Sequence, residues 1–577
     1  MKGKPIQAQP SQQKIWSIKG GVHPVFNKAC STQQPVSIPT VPATLVIPVV
    51  QHIGEVGHIL VAQGQQVYKG QPLVDMPEGL GAITHAPTSG IVQIVEERAV
   101  PHVSGLTAIC VVIDTDGKEE WGDYQQSSYS GYQSIDTMTL CKRLHTAGLV
   151  GMGGAAFPSA AKFAASRKRN HGLDTLIING AECEPYISCD DMLMRGWAEE
   201  IVEGIHILLH ILNPKRCLVG IEDNKPEAIA AMQQALDKRK KSGITIVKIP
   251  TIYPSGDEKQ LIRILTGKAL AKQELPFQHG ILVQNVATVH SVYNAIIKGQ
   301  PLISRILTVT GRGIKKPQNF QALIGTSFQH LIEQAGGYTD YVERLIMGGP
   351  MMGYSMKTDE LPVIKATNCI LALPKEDLPY SPDMAMPCIR CGKCMDACPV
   401  DLLPQQLFWH AKAKEFDKIQ DYKLNDCIEC GCCSYVCPSK IPLVSYYRYA
   451  KSEIREENKK QQEVDLARER FEFRELRLER AKAERDAKRA AHKAALQKKK
   501  TAVNKDPKQA SSKDDKQDVI KAALERAKLK QEQRKAKPRN TNSLTEAQQK
   551  QIDEIDQRRA KEVLVSKSPE DNSKEAP

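Results

Sequence analysis

Cys388-Ile389-Arg390-Cys391-Gly392-Lys393-Cys394-Met395-Asp396-Ala397-Cys398-Pro399 and Cys427-Ile428-Glu429-Cys430-Gly431-Cys432-Cys433-Ser434-Tyr435-Val436-Cys437-Pro438 repeat one cysteine spacing. A cubane iron–sulfur cluster needs four thiolates. Three Cys at i, i+3 and i+6 wrap one side of it, and the fourth Cys of each run ligates the other cluster. By that rule Cys388, Cys391, Cys394 and Cys437 hold one [4Fe–4S] centre, and Cys427, Cys430, Cys433 and Cys398 hold the second. Structural zinc is the competing assignment, but zinc sites use two ligand pairs separated by a longer gap. Cys432 is off register and reads as a spare thiol. Two clusters with a crossed ligand set lie close together, which suits them to relaying electrons.

The 577 residues leave room for several domains. Of 16 cysteines, eight belong to the two runs and the rest are scattered, a usage that fits a reducing compartment rather than a disulfide framework. Met1 to Lys19 is polar and has no apolar h-region, so no signal peptide is expected. No run of eighteen apolar residues predicts a membrane span. The net charge of +13 is concentrated at one end: from Lys451 to Pro577, 35 Lys+Arg face 25 Asp+Glu, leaving only +3 for the preceding 450 residues. That distribution argues against a nucleic-acid-binding body.

The fold class expected is multidomain α/β and α+β. Residues 1–130 read as short strands punctuated by Gly and Pro, with Val56, Leu60, Val67 and Leu73 among Gly57, Gly64 and Gly70. Residues 131–275 alternate helices with apolar strands. Leu176 to Ile178 and Cys217 to Ile221 read as buried parallel strands, and Glu227 to Leu236 as a covering helix entered through Pro226. In 276–368, a strand at Ile306 to Gly311 and a helix at Ser327 to Ala335 predict a small mixed domain. Residues 369–450 hold the clusters. Residues 451–577 form a basic Ala/Lys/Glu-rich tail, helical or disordered, too poor in apolar residues for a sustained coiled coil. Turns are expected at 504–512, a second helix from Asp518 to Lys535 and a third from Ser543. The alternative for this tail is a basic arm that touches anionic lipid or a partner.

Gly148-Leu149-Val150-Gly151-Met152-Gly153-Gly154-Ala155-Ala156-Phe157-Pro158 lets backbone N–H groups approach a phosphate, although a tight turn explains it equally well. Lys162, Asn179-Gly180-Ala181-Glu182-Cys183-Glu184, Gly256-Asp257-Glu258 and Asn285-Val286-Ala287-Thr288 follow it. Together these resemble the flavin- and NADH-binding subunit of respiratory complex I. The resemblance implies FMN contacts at Gly151, Gly153, Gly154, Lys162, Asn179, Glu182, Gly256, Asp257, Glu258, Asn285 and Thr288. It implies nicotinamide nucleotide contacts at Phe157, Lys162 and Glu184. The chain departs from that pattern at Val150 and Met152, where the family has arginines, and at Ala181, where it has an acid.

The first 130 residues resemble the biotinyl/lipoyl barrel-sandwich fold. The segment Met76-Pro77-Glu78-Gly79-Leu80-Gly81 lacks the lysine that carries a prosthetic group, so the fold is expected to be scaffold. The whole order opens with Gly20-Gly21-Val22-His23-Pro24. It runs through the barrel sandwich, a flavin domain and a β-grasp (soluble-ligand-binding-like) domain to two clusters and a basic tail. This order resembles the C subunit of the Rnf/Rsx ion-translocating electron transport complexes over roughly residues 14 to 445. His23, alone in a turn, is expected to be structural.

That resemblance implies an enzyme subunit of the translocase class, NADH-linked and peripheral on the cytoplasmic side of the inner membrane. It implies two [4Fe–4S] clusters and FMN as cofactors. The implied partners are NAD(H), the other subunits of a membrane complex, an iron–sulfur subunit among them, and the membrane surface. A hydride carries two electrons and each cluster takes one, so a flavin belongs between them. Two alternatives remain: a soluble flavin/iron–sulfur reductase similar to cobalamin reductases, and a non-catalytic iron–sulfur relay.

Overall fold

The computed structural model describes residues 14–76, 80–124, 127–167, 172–239, 243–271, 274–378, 385–503 and 521–527. Pro77 to Gly79 of the Met76–Gly81 segment, the turns at 504–512 and the helix expected from Ser543 lie outside the described residues. The chain divides into two units, Met1–Gln462 and Glu463–Pro577.

Seven strands make the first layer of the larger unit. β1 (Thr44–Pro48), β3 (Gln66–Val67), β6 (Gly90–Ala99) and β7 (Thr107–Thr115) form one sheet, and β2 (His58–Ile59), β4 (Pro72–Asp75) and β5 (Thr84–His85) form another. Residues of the facing strands, including Leu45, Ile47, Val67, Leu73, Val92, Val111 and Ile113, fill the space between the sheets. Val67 and Leu73 are core, whereas Val56 and Leu60 are exposed.

Next come α1 (Thr137–Thr146), α2 (Ser159–Arg167), β8 (Thr175–Gly180), α3 (Cys189–Gly196), α4 (Ala198–Leu212), β9 (Arg216–Glu222), α5 (Pro226–Asp237), β10 (Ile244–Ile249), α6 (Glu258–Thr266), β11 (Ile281–Asn285) and α7 (Val286–Tyr293). The four strands are parallel throughout, in the order β10-β9-β8-β11. A parallel sheet must be covered on both faces, and its residues sort accordingly. Leu176, Ile178, Cys217, Val219 and Ile221 face a core shared with α4 and α5. Ile177 and Leu218 face Leu261, Ile262 and Leu265 of α6. Pro226 sits in the first turn of α5, where a missing N–H costs nothing.

β12 (Ser304–Thr310), β13 (Gln318–Leu323), β14 (Arg344–Met347), β15 (Tyr354–Met356) and β16 (Cys369–Leu373) form a mixed five-stranded sheet. It is covered by α8 (Phe328–Gln334), whose first turn is capped by the Ser327 hydroxyl accepting from the His330 N–H at 3.2 Å.

The cysteine-rich segment contains α9 (Lys393–Asp396), α10 (Pro404–Ala413), α11 (Phe416–Asp421) and α12 (Cys432–Tyr435), and leads into α13 (Leu443–Val503). This long helix starts inside the region expected to hold the clusters. Leu443, Val444, Tyr447, Ala450 and Ile454 are part of the core with Leu407, Phe408 and Ile419. In the second unit, residues 463–503 and 521–527 are helical. Val464, Leu466, Phe471 and Phe473 are exposed there, as expected of a polar helix. Among the described residues no helix is long and apolar enough to cross a membrane.

Candidate functional site

The two cysteine runs fold alike. Arg390 and Glu429, Gly392 and Gly431, and Asp401 and Lys440 occupy matching places and all have positive φ. α9 and α12 likewise cover corresponding residues. In each run the first Cys sulfur accepts a backbone N–H two residues on, from Arg390 to Cys388 and from Glu429 to Cys427, both at 3.4 Å. Cys398 accepts from the Leu402 N–H at 3.4 Å. Such N–H groups aimed at sulfur stabilise a thiolate and tune a cluster bound to it.

Tertiary folding gathers cysteines from both runs. Cys398, Cys427, Cys430 and Cys433 line one small cavity, closed by Leu402, Leu407, Val444 and Tyr447. Four sulfurs around one cavity are the donor set that a cubane cluster requires. Burial raises the Cys427 thiol to about 11, so as a free thiol it keeps its proton and binding iron must release it. In the other set, burial pushes the Cys394 thiol up, and Cys437 and Cys388 beside it add to the shift. Cys398, Cys430 and Cys433 are buried while Cys391 is exposed, so the two sets differ in access to solvent. Cys432 is buried in a cluster with Tyr253 and lies outside the lining of the cysteine cavity.

The second constellation gathers at the carboxyl ends of β8 and β11. The strand order places β9 and β10 on one side of β8 and β11 on the other, so β8 and β11 flank a topological switch point. Ligands of open α/β sheets bind in the crevice outside such a point. The sequence contains no direct signal for this order. Asn179 near the end of β8 donates Nδ2 to the Gly256 carbonyl at 2.8 Å. Met152 in the glycine loop donates its N–H to Thr288 Oγ1 at 2.9 Å. A Cβ on Gly153 would sit 3.5 Å from Asn285 Cβ, so the loop lies against the end of β11. Gly151 is pinned by an N–H bond to the Phe157 carbonyl at 2.8 Å. Gly153, Gly154 and Ala155 are exposed, and Gly154, at φ +118°, has open space where a Cβ would point. An exposed glycine arch over a switch point leaves the backbone open to a close-lying ligand.

Several of the expected contacts have structural work of their own. Asp257 caps α6 by accepting from the Lys259 and Gln260 N–H groups, each at 3.1 Å. Asn285 caps α7 and donates to Asp190 at 2.6 Å. Glu182 accepts from the Asp190 N–H at 2.6 Å, and burial raises its carboxyl to about 7. Glu184 accepts from the Met351 and Met352 N–H groups at 2.7 and 3.0 Å. Lys162 pairs with Glu258 at 2.7 Å and also donates to the Val283 carbonyl at 2.8 Å. Phe157 is 37% exposed at the loop's rim, where a ligand can meet it. Val150, Met152 and Ala181, where the resemblance breaks, are all buried and face the core.

Three positioning groups escaped the sequence reading. Lys28 donates to the carbonyls of Glu182 and Glu184 at 2.7 and 3.0 Å, and to that of Ile187, which holds the turn after β8 where Glu182 and Tyr186 have positive φ. Tyr253, fully buried, donates its hydroxyl to the Cys430 carbonyl at 2.6 Å. Cys183 accepts the Gly256 N–H at 3.3 Å. Val22, Cys183, Tyr253, Ala397, Cys430 and Cys432 form one buried cluster, so the switch-point crevice and the cysteine cavity share a wall. Gly21 donates to the Ala397 carbonyl at 3.0 Å, and Val22 exchanges backbone bonds with Tyr253, while His23 is exposed. The opening Gly-Gly-Val is thus a strap across this seam.

Comparison with known proteins finds four domain matches. Residues 16–118 match the RnfC barrel sandwich hybrid domain, 144–294 the Nuo51 FMN-binding domain, 306–355 the SLBB domain and 387–441 the 4Fe-4S dicluster domain. The C subunit of the ion-translocating oxidoreductase complex of Vibrio cholerae serotype O1 is 48% identical over 474 residues, which cover 82% of this chain and 60% of that protein. Its counterpart in Pectobacterium atrosepticum is 44% identical, covering 90% of this chain and 71% of the relative. That of Yersinia pestis bv. Antiqua is 46% identical, covering 82% and 75%. The chain therefore spans about 60% of the length of the Vibrio relatives it matches.

Proposed function

From a chain that belongs to the family of C subunits of ion-translocating oxidoreductase complexes, we infer an electron-input subunit of such a complex. It is an oxidoreductase component with barrel-sandwich, FMN-binding, SLBB and dicluster domains. The observation that carries the reading is the shared buried wall: the turn after β8, at the sheet's switch point, meets through Cys183 and Tyr253 the cavity lined by Cys398, Cys427, Cys430 and Cys433.

In this reading FMN, when bound, supplies the exchange between hydride and single electrons, and the clusters supply one-electron sites. The chain's own residues do the placing. Gly153 to Ala155 cradle the phosphate, Asn179 and Thr288 fix the loops on either side, and Phe157 with Glu184 borders the nicotinamide. Cys398, Cys427, Cys430 and Cys433 hold the buried cluster, in contact with the flavin domain. Cys388, Cys391, Cys394 and Cys437 hold the more exposed one, facing outward to the next carrier. Residues 276–368 are read as a β-grasp domain, whose five-stranded sheet takes its middle strand, β16 (Cys369–Leu373), from just beyond that boundary, and the basic tail as an arm toward partners or an anionic surface. NADH is the proposed donor. The other subunits of a membrane complex are the proposed partners, with this chain peripheral on the cytoplasmic side of the inner membrane.

Anaerobic purification of the chain, with iron, sulfide and flavin assayed before and after NADH, tests this. About eight irons per chain with bound FMN, and bleaching of both signals by NADH, is the expected result. Eight irons without flavin and no response to NADH would reduce the chain to a relay.

A further inference from the structure

The glycine loop carries no cation of its own toward the crevice. Val150 and Met152 are apolar and buried, and Lys162 is engaged by Glu258. Behind the loop, however, lie two buried cations. Lys365 is 0% exposed, and its Nζ donates to the carbonyls of Ile83 and Gly148 at 2.7 and 2.8 Å. Arg305 is 3% exposed, and its guanidinium donates to the carbonyls of Lys365 and, at 3.4 Å, Met152. Among the described residues no carboxylate pairs with Lys365, and burial pulls its ammonium down to about 7. The carboxylate acting on Arg305 is that of Asp190, whose Oδ2 is already taken by Asn285.

A buried ammonium held by carbonyls alone, as Lys365 is, tends to give up its proton, and an anion in front of the loop favours the charged form. The direction in which a buried cation acts is set by peptide geometry. In a trans peptide the N–H points opposite to the C=O. A guanidinium on the Met152 carbonyl therefore aims the N–H of Gly153 away from itself, toward the exposed side of the arch. It also polarises that N–H, as successive hydrogen bonds do. Lys365 holds the Gly148 carbonyl and so fixes the start of the loop.

We propose that Arg305 and Lys365 are the cationic back wall of the glycine loop, giving the Gly153–Ala155 arch its affinity for a phosphomonoester, the phosphate of a flavin mononucleotide. This rests on the flavin reading above. Both residues come from beyond the FMN-binding segment, so the SLBB-containing part of the chain completes the site.

The test compares FMN with riboflavin, which lacks the phosphate, by fluorescence quenching on the full-length, cluster-loaded chain. In the wild type, FMN should bind more tightly than riboflavin, and inorganic phosphate should compete with FMN but not with riboflavin. Lys365→Met and Arg305→Met should each weaken FMN by about tenfold or more while leaving riboflavin within about threefold. Arg305→Lys, which keeps the charge, should restore most of the FMN preference. Equal loss of both flavins in a variant that retains its iron would mean a purely structural role and overturn the proposal. So would a wild type with no preference for FMN, which leaves the flavin reading intact. A wild type that binds neither flavin overturns both. Phosphate competition needs no variant, so the proposal stays testable if a substitution prevents folding.

Discussion

Glu222 is a point where removing one charge should loosen the candidate flavin site without touching it. It ends β9 with both carboxylate oxygens committed. One lies 2.9 Å from Lys225 Nζ and the other accepts the Ser255 hydroxyl at 2.6 Å. The side chains of Glu222 and Lys225 are 0% and 1% exposed. Ser255 precedes Gly256, whose carbonyl Asn179 binds at the mouth of the crevice. Glu222→Gln leaves an ammonium in the interior, which typically costs ~3–5 kcal/mol. Lys225 keeps Asn224 Oδ1 at 3.0 Å and can still reach the neutral Gln amide oxygen, which places the expectation near the lower end. A multidomain chain does not unfold in one step, so the proper assay is hydrogen exchange of peptides from β8, β9 and α5. A loss of ~3 kcal/mol corresponds to exchange roughly 100-fold faster there, with β6 and β7 unchanged. Glu222→Leu with Lys225→Met, which removes both charges, should recover most of the protection, less ~1 kcal/mol for the orphaned Ser255 hydroxyl. Wild-type exchange in the single variant, or a double variant as weak as the sum of the two singles, would refute the reasoning.

Cys433→Ser should lower iron by about half, whereas Cys432→Ala, one residue away but outside both sets, should leave it unchanged; iron and sulfide assays on anaerobic protein decide this. Gly431→Ala should also lose iron, because its φ of +81° and a Cβ 2.7 Å from the Met351 carbonyl force the turn between Cys430 and Cys433 to shift. The carboxyl of Glu182 is raised by burial to about 7, so the folded state holds a proton that the unfolded state has released above about 4.5. Stability should therefore fall as pH rises between those values. The fall should be smaller in Glu182→Gln, read from exchange protection of α3 across that range.

The cysteine runs were legible in sequence because cluster ligation is written in local spacing: i, i+3 and i+6 place three sulfurs on one side of a turn. The parallel strands were legible for a similar reason, since β8 is buried on both faces and reads as an unbroken apolar run. The glycine loop was visible too, but its meaning was not. Only the strand order shows that it sits at a switch point, and strand order depends on which strands pair, not on what each contains. Asp257 and Asn285 show what the sequence leaves out: the resemblance marks them as flavin contacts, and in the fold each also caps a helix with its carboxylate or amide oxygen.

Spacing by itself determined the repeated cysteine run, and composition the polar, basic character of the tail, whereas the domain types came from resemblance to known families. The run and the character of the tail are fixed by residues near one another in the chain. Tertiary structure decided what the distant parts do together. Tyr253 reaches Cys430 across 177 residues, and Arg305 and Lys365 come from other strands and loops to stand behind a loop at 148–152. No local pattern encodes such contacts. A buried hydroxyl or ammonium must find a partner wherever packing places it, and that placement exists only once the chain has folded.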